Sequence, residues 1–308
     1  MGRYVARRLL QMIPVFIGTT LLIFLMVHSL PGDPVRAMWG DKAADPAQVA
    51  QLRHEFGLDL PLWQQYLNYM TDLFKGDFGT TFGGRPVLDE MSMAFPVTVR
   101  LTLVALTIEI VLGIALGVWA GLKAGRAVDT GVLAFTLVVI SIPVFVLGYL
   151  AQTLFADTLG WVTPSVQDSM DIGQLMLPGF VLAMLSLAYV ARLTRTTVAE
   201  NRRADYMRTA LAKGLPRGRI VGVHLLRNSL IPVITFLGSD IGALMGGAVV
   251  TEGIFNVQGV GNVLFHALGQ REGSTIVGIV TVFVLIFLVL NLIVDLLYAV
   301  LDPRIRYA

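Results

Sequence analysis

Long apolar runs are the feature of this chain that most restricts its fold. A helix needs about 20 consecutive apolar residues to cross a bilayer. Hydropathy places six such runs at roughly 9–30, 97–122, 131–156, 175–193, 230–251 and 276–300. Only 14% of the 308 residues are charged, against about 25% in soluble domains. The sequence therefore predicts an all-α polytopic membrane protein with six transmembrane helices.

Basic residues predict how these helices are oriented. Three arginines precede the first apolar run, which is longer than the roughly 7–15 residues of a signal peptide, so we expect a retained span. Nine Lys or Arg residues occur from Arg192 to Arg227, most of them in the loop 194–229. Cytoplasmic loops carry the excess of positive charge in membrane proteins. Both termini and this loop are therefore predicted to be cytoplasmic.

Three segments follow from this topology. Residues 1–30 form the N-terminal tail and first span, 31–96 a long extracytoplasmic loop, and 97–308 the remaining core. In the loop, Trp63, Tyr66, Leu67 and Met70 follow helical spacing, which predicts a small helical element. This element either rests on the membrane surface or forms a docking platform, where Trp63 and Tyr66 would contact an external partner.

Signatures of catalysis and nucleotide binding are missing from the sequence. None of the four lysines is followed by Ser or Thr, so there is no P-loop that could bind ATP. The four histidines lie in separate segments without metal-ligand spacing, and the chain has no cysteine. We therefore expect no catalytic residue, no metal site and no cofactor in this chain, and no nucleic-acid partner.

Two glycine ladders mark smooth faces on predicted spans. They are Gly113, Gly117 and Gly121 in the second span, and Gly238, Gly242 and Gly246 in the fifth. Small residues at this spacing let another helix approach closely. The ladders either pack helices within the subunit or form a subunit interface or a pore-facing groove.

Polar residues within the spans are candidates for a transport pathway, because a charge at the bilayer centre costs about 3 kcal/mol or more. The candidates for a pathway or gate are Ser141, Pro143, Ser239, Asp240 and Glu252. Pro143 lacks a backbone N–H and is expected to bend the third span. Glu109, in the second span, is expected to form a hydrogen bond between helices.

The basic loop holds a compact helical motif. Residues 199–213 are predicted to form one helix, which Gly214 would end in the left-handed conformation and Pro216 would prevent from continuing. A second short helix is predicted at about 217–226. A cytoplasmic protein would grip the first helix through Asp205, Arg208, Thr209, Ala210, Lys213 and Gly214. The alternative is a lipid-anchoring loop with no protein partner.

Motifs spread over nearly the whole chain resemble one family. They include Leu30-Pro31-Gly32-Asp33-Pro34, Lys75-Gly76-Asp77-Phe78-Gly79, Ser141-Ile142-Pro143-Val144-Phe145, Arg208-Thr209-Ala210 with Gly214, and Asp302-Pro303-Arg304-Ile305-Arg306-Tyr307. Together they resemble the B-type permeases of ABC importers in the dipeptide, oligopeptide and nickel branch. Arg208 stands where the loop motif of that family usually has Glu.

The resemblance implies a type I ABC-importer permease in a bacterial inner membrane, forming half of a pathway for di- or oligopeptides. The implied partners are a second homologous permease, an extracytoplasmic binding protein, the lipid bilayer, and two cytoplasmic ATPase subunits or one fused ATPase, which would bind ATP and Mg. Nickel chelates, haem or glutathione remain alternative substrates. The competing hypothesis is a self-sufficient channel or an ion-coupled carrier that uses Asp240 or Glu109.

Overall fold

Helices dominate this protein, for which we use a computed structural model that describes residues 2–29, 34–37 and 45–301. One isolated bridge, between Thr80 and Pro86, is the only strand-like pairing in those ranges. The segments 30–33 and 302–308, which hold most of the first and last family motifs, lie outside the described residues. The predicted all-α class is confirmed.

The helices are numbered in chain order. The first eight are α1 Gly2–His28, α2 Pro34–Ala37, α3 Pro46–Glu55, α4 Leu62–Phe74, α5 Val87–Ile108, α6 Ile114–Leu122, α7 Ala127–Ser141 and α8 Val144–Ala151. The others are α9 Ile172–Asn201, α10 Asp205–Ala212, α11 Arg217–Arg219, α12 Arg227–Ser229, α13 Ile231–Phe255, α14 Val260–Gln270 and α15 Gly273–Leu301. Three π-helical segments complete the set at Glu109–Gly113, Gln152–Thr158 and Ile220–Leu226.

Five helical stretches of the described residues are long and apolar enough to cross a membrane. They are Val5–His28, Val87–Leu122, Ile172–Asn201, Ile231–Phe255 and Gly273–Leu296. A further candidate is the pair Ala127–Ser141 and Val144–Thr158, whose axes differ by 104°. The described part of the chain therefore has five spans, or six if the broken pair crosses the membrane.

The break in the predicted third span is sharper than a proline bend. Ile142 adopts an extended conformation, with φ −100° and ψ 126°, and α8 restarts directly after Pro143. The ring of a proline disfavours helical geometry at the preceding residue, so the helix stops there instead of curving. The predicted third span over 131–156 is therefore divided into two helices rather than bent.

Two other predicted boundaries also differ from the structure. Helix α5 begins at Val87 rather than near residue 97, because Asp89 and Glu90 in its first turn favour a helix N-terminus. Helix α9 continues to Asn201, and α10 starts separately at Asp205. The predicted single helix over 199–213 is wrong, since Ala204 is extended, with ψ 151°.

The chain forms two compact units. The first comprises Met1–Thr98 with Gln258–Leu292. In this unit the predicted helix of the long loop is present as α4, which two tyrosines fix in place. The hydroxyl of Tyr66 lies 3.0 Å from that of Thr20 on α1, and the hydroxyl of Tyr69 lies 2.5 Å from that of Thr281 on α15. Burial raises the pKa of Tyr69 to about 12, so its hydroxyl stays neutral.

The second unit comprises Val99–Val257 with Ile293–Ala308 and is organised around α9. Helices α6, α7, α8 and α13 all pack against it. In its most apolar window 56% of α9 is buried, against 33% or less in the other four continuous candidates. Asp171 caps this helix by accepting a hydrogen bond from the backbone N–H of Gly173 at 2.8 Å.

The first glycine ladder lies where α6 meets α9. A Cβ atom added to Gly117 would lie 2.5 Å from Cβ of Thr194 and 2.6 Å from the carbonyl oxygen of Ala191. Gly113 and Gly121 are similarly crowded, each with a valine of α9 at 2.8 Å. At these positions the backbone therefore lies so close to α9 that there is no room for a Cβ atom.

The second ladder, on α13, is more open. A Cβ atom at Gly238 would lie 3.1 Å from Val294, whereas no heavy atom lies within 4 Å of one built at Gly246. Gly242 between them is half-buried. This face of α13 therefore has room for another side chain or helix near Gly246.

Replacing Gly117 with Ala should destabilise the protein by about 1–3 kcal/mol, the usual cost of overpacking, because Thr194 and Ala191 leave no space for a methyl group. Gly131→Ala is the matched control, since nothing lies within 4 Å of its added Cβ. Thermal unfolding of the purified variants in detergent measures the difference. Equal unfolding temperatures would contradict the close packing.

Candidate functional site

Helix α10 and its surroundings form the candidate site. Met207 and Ala210 are buried in an apolar cluster with Val198 of α9 and with Ile220 and Leu225 of the following π-helical segment. All other residues of α10 are exposed. The short helix is therefore held by one face while the opposite face remains free to contact a partner.

Ala210 does not belong to that outward face. The sequence analysis placed it among the residues gripped by a partner, but it is only 5% exposed. Since Ala210 follows Met207 by three residues, the two share one side of the helix and pack into the same cluster. Asp205, Arg208, Thr209 and Lys213 do lie on the exposed surface.

A chain of polar contacts fixes α10 to the end of α9. The hydroxyl of Tyr206 donates to Oδ1 of Asn201 at 2.8 Å, and Nδ2 of Asn201 donates to Oγ of Ser229 at 3.2 Å. Ser229 in turn donates to the carbonyl oxygen of Thr197 at 3.3 Å. Sequence reasoning missed these residues, because polar side chains in a loop give no periodic signal.

Gly214 ends this region as expected from the Gly and Pro stop signal. Its φ of 69° lies in the left-handed region, which glycine adopts without a Cβ penalty. Its backbone N–H donates to the carbonyl of Leu211 at 3.0 Å, which closes the helix end. The helical region then resumes at Arg217 and runs to Ser229 through a π-helical segment, longer than the predicted 217–226.

A bidentate ion pair joins α7 to α9. Nε and Nη2 of Arg195 donate to the carboxylate of Asp129 at 2.7 and 2.6 Å, and the N–H of Gly125 donates to the same carboxylate at 2.8 Å. The side chain of Asp129 is 4% exposed and that of Arg195 is 26% exposed. The sequence analysis counted Arg195 only as a loop charge. Asp129, an acid in the first turn of α7, was the sequence feature that could have indicated a buried ion pair.

The candidates for a pathway or gate lie in different surroundings. Ser141 and Ser239 each donate back to a carbonyl of their own helix, to Leu137 and Phe236 respectively, both at 2.8 Å. Glu252 is fully buried near the end of α13.

Glu109 lies close to Asp240 of α13, and Ser186 of α9 also contacts Asp240, but within the described residues neither carboxylate oxygen of Glu109 has a hydrogen-bond partner. Both acids are buried. The interhelical hydrogen bond expected for Glu109 therefore stays a prediction, and this pair of acids lies inside the second unit.

The two residues proposed to meet an external partner are placed differently. Trp63 is exposed, whereas Tyr66 turns toward α1, where its hydroxyl also donates to the carbonyl oxygen of Ile17 at 3.2 Å. Tyr66 thus holds α4 in place, and its hydroxyl is not directed at an outside partner.

Comparison with known proteins gives a consistent result over the whole chain. Residues 113–307 match the family described as binding-protein-dependent transport system inner membrane component, and residues 1–102 match its N-terminal counterpart. The chain is 40% identical to the di/tripeptide transport system permease protein DppB of Pseudomonas aeruginosa, with 99% of this chain and 98% of that protein covered. It is 38% identical to the glutathione transport system permease protein GsiC of Salmonella choleraesuis, with both chains covered completely.

A further relative is the dipeptide transport system permease protein DppB of Escherichia coli, at 37% identity over 100% of this chain and 99% of that protein. Among solved structures, the fold is similar to that of an amino acid ABC transporter with histidines, with a TM-score of 0.53. That match covers 68% of this chain and 93% of the other at 14% identity, and it supports the fold alone.

Replacing Arg195 with Gln should destabilise the protein by about 2–3 kcal/mol, somewhat less than the ~3–5 kcal/mol for breaking a fully buried pair, because the arginine is partly exposed. The carboxylate of Asp129 would then remain buried without its cation. Arg217→Gln, at an exposed position, is the control and should be close to neutral. Thermal unfolding in detergent compares them, and equal stability of the two variants would contradict the role of the pair.

Proposed function

This chain belongs to the family of binding-protein-dependent transport system inner membrane components, and we propose that it forms half of the pathway for short peptides in an ABC importer. As a family member it is a multi-pass permease of the bacterial inner membrane that works with an ATPase and a binding protein. The relatives named for di- and tripeptides and for glutathione match its full length, which supports a peptide substrate.

The observation that supports the coupling role is that α10 is buried on one face and exposed on the other. Its inner face packs on the π-helical segment Ile220–Leu226 and on Val198 of α9, and its outer face presents Asp205, Arg208, Thr209 and the adjoining Lys213. A helix anchored in this way can move as a rigid body when another protein holds its outer face. We assign this face to a cleft of the cytoplasmic ATPase.

The contacts around α9 provide a route for that movement. A shift of α10 acts on α9 through the apolar cluster and the Tyr206 chain. The Arg195–Asp129 pair carries it to α7, and the crowded first glycine ladder carries it to α6. ATP and Mg bound by the ATPase can then favour the outward-open state only by the difference between their binding free energies for the outward-open and the inward-open state.

The full assembly in this proposal contains this chain, a second homologous permease, and either two ATPase subunits or one fused ATPase. The open part of the second ladder, near Gly246, is available to the second permease. The pair Ala127–Ser141 and Val144–Thr158 together forms one span in this proposal, so the chain has six spans. Both termini then lie in the cytoplasm. An extracytoplasmic binding protein delivers the peptide, and Ser141, Pro143, Ser239, Asp240 and Glu252 remain the proposed pathway residues.

Reversing the charge of Lys213 should uncouple transport. Lys213→Glu alters the exposed surface at the end of α10 without touching its buried side, so the protein should insert normally but lose most ATP-driven uptake of a labelled dipeptide. Arg126→Glu makes the same charge change at an exposed position away from α10 and should retain uptake. Proteoliposomes containing all subunits provide the assay.

Two outcomes of that assay oppose the proposal. Normal uptake by Lys213→Glu would refute the coupling role of the outer face. Uptake by the wild-type chain without any ATPase would instead favour the ion-coupled carrier, in which Asp240 and Glu109 would bind the ion. Ala210→Arg is unsuitable as a test, because it would disrupt the core packing.

The proposed orientation can be measured directly, because the chain has no cysteine. Lys213→Cys should react with a membrane-impermeant maleimide only after the membrane is permeabilised. Gln51→Cys, on exposed α3, should react in intact spheroplasts. The opposite labelling pattern would place the basic loop outside and overturn the proposed function.

A further inference from the structure

Helix α4 has two contrasting faces. Trp63, Leu67 and Phe74 are 66%, 53% and 82% exposed. Gln65, Asn68 and Asp72 instead line a cavity of about 620 Å³ within the first unit. With 3.6 residues per turn, the two sets lie on opposite sides of the helix. The polar side is therefore turned inward, and the apolar side is turned away from the rest of the unit.

The contacts of α4 with α1 show how deep it lies. The ring of Tyr66 is 5.4 Å from that of Phe24, and its hydroxyl reaches Thr20. These partners precede His28, the last residue of α1, by four and eight residues. At 1.5 Å per residue, α4 meets α1 roughly 6–12 Å below the C-terminal end of that helix.

The contact with α15 gives a similar depth. Tyr69 meets Thr281, eight residues after the start of α15 at Gly273, or roughly 12 Å along the helix. The candidate span of α1, Val5–His28, has 24 residues including Arg7 and Arg8, about 36 Å, against a hydrocarbon thickness of about 30 Å. Only about 6 Å of α1 can therefore project beyond the hydrocarbon, and α4 lies at its boundary or below.

We propose that α4 is an interfacial membrane helix whose face of Trp63, Leu67 and Phe74 is immersed among lipid acyl chains. In the orientation proposed above, this is the outer leaflet. Helices of this kind bury an apolar face rich in Trp, Phe and Leu by about 5–10 Å, which agrees with the depth along α1 and α15. The Lys75–Asp72 ion pair, at 2.8 Å and exposed, lies at the polar edge of the helix.

The depth of α4 decides between the two roles considered for it, a helix on the membrane surface and a docking platform for an external partner. A water-soluble receptor cannot reach side chains that lie below the headgroup boundary, so Trp63 is assigned to lipid. The receptor then contacts other parts of loop 31–96. This assignment depends on α1 and α15 crossing the membrane and is independent of ATPase coupling, peptide specificity and the role of α10.

Fluorescence quenching tests the proposal. The full chain, with Trp63 as its sole tryptophan and Phe at the other three positions, is reconstituted with its partner subunits in vesicles. Phospholipids brominated near the glycerol end of their acyl chains should quench Trp63 several-fold more strongly than aqueous iodide does. Quenching by iodide but not by brominated lipid would overturn the proposal. Protection from iodide by added binding protein would also overturn it, by showing that a receptor covers Trp63.

The matched control places the sole tryptophan on α3 by Gln51→Trp in a Trp63→Phe background, where iodide should quench and brominated lipid should not. If the single-tryptophan proteins fail to fold, a photoactivatable phospholipid with the wild-type assembly provides a second measurement. Labelling of the segment 62–74 would support immersion. Labelling of α1 and α15 without α4 would refute it.

Discussion

The close approach of α6 to α9 is the contact on which the second unit depends. Lipid tails are as apolar as leucine, so helices in a membrane gain little from hydrophobicity and associate through van der Waals packing. Gly113, Gly117 and Gly121 remove the side chains that would separate the two backbones. Helices α7, α8 and α13 also pack on α9. Helix α9 therefore provides a rigid support for α10.

The protein combines two kinds of contact to connect its helices. Apolar packing, as around Met207 and Ala210, fixes distance but tolerates small rotations. The polar contacts are directional: the two-pronged bond from Arg195 to Asp129 and the link from Tyr206 to Asn201 each fix an orientation as well. Together they fix both the spacing and the relative orientation of α7, α9 and α10.

Hydropathy was sufficient to predict the membrane class, the five long apolar helices and the separate helix in the long loop, because these follow from composition and period. The residues at which helices begin and end were harder to predict from the sequence. Val87 and Asn201 lie beyond the apolar runs, where capping and tertiary packing decide. The direction of Tyr66 and the burial of Ala210 depend on which neighbours a short helix meets, and the partnership of Arg195 with Asp129 joins residues 66 positions apart. No local pattern encodes such choices.

The interruption at Ile142 and Pro143 has a consequence for the bilayer itself. Peptide groups that leave a regular helix need hydrogen-bonding partners, and hydrocarbon offers none. A 104° turn so close to apolar sequence therefore cannot be coated by lipid on all sides. Where this break lies within a bilayer, its backbone must therefore be covered by protein or reached by water.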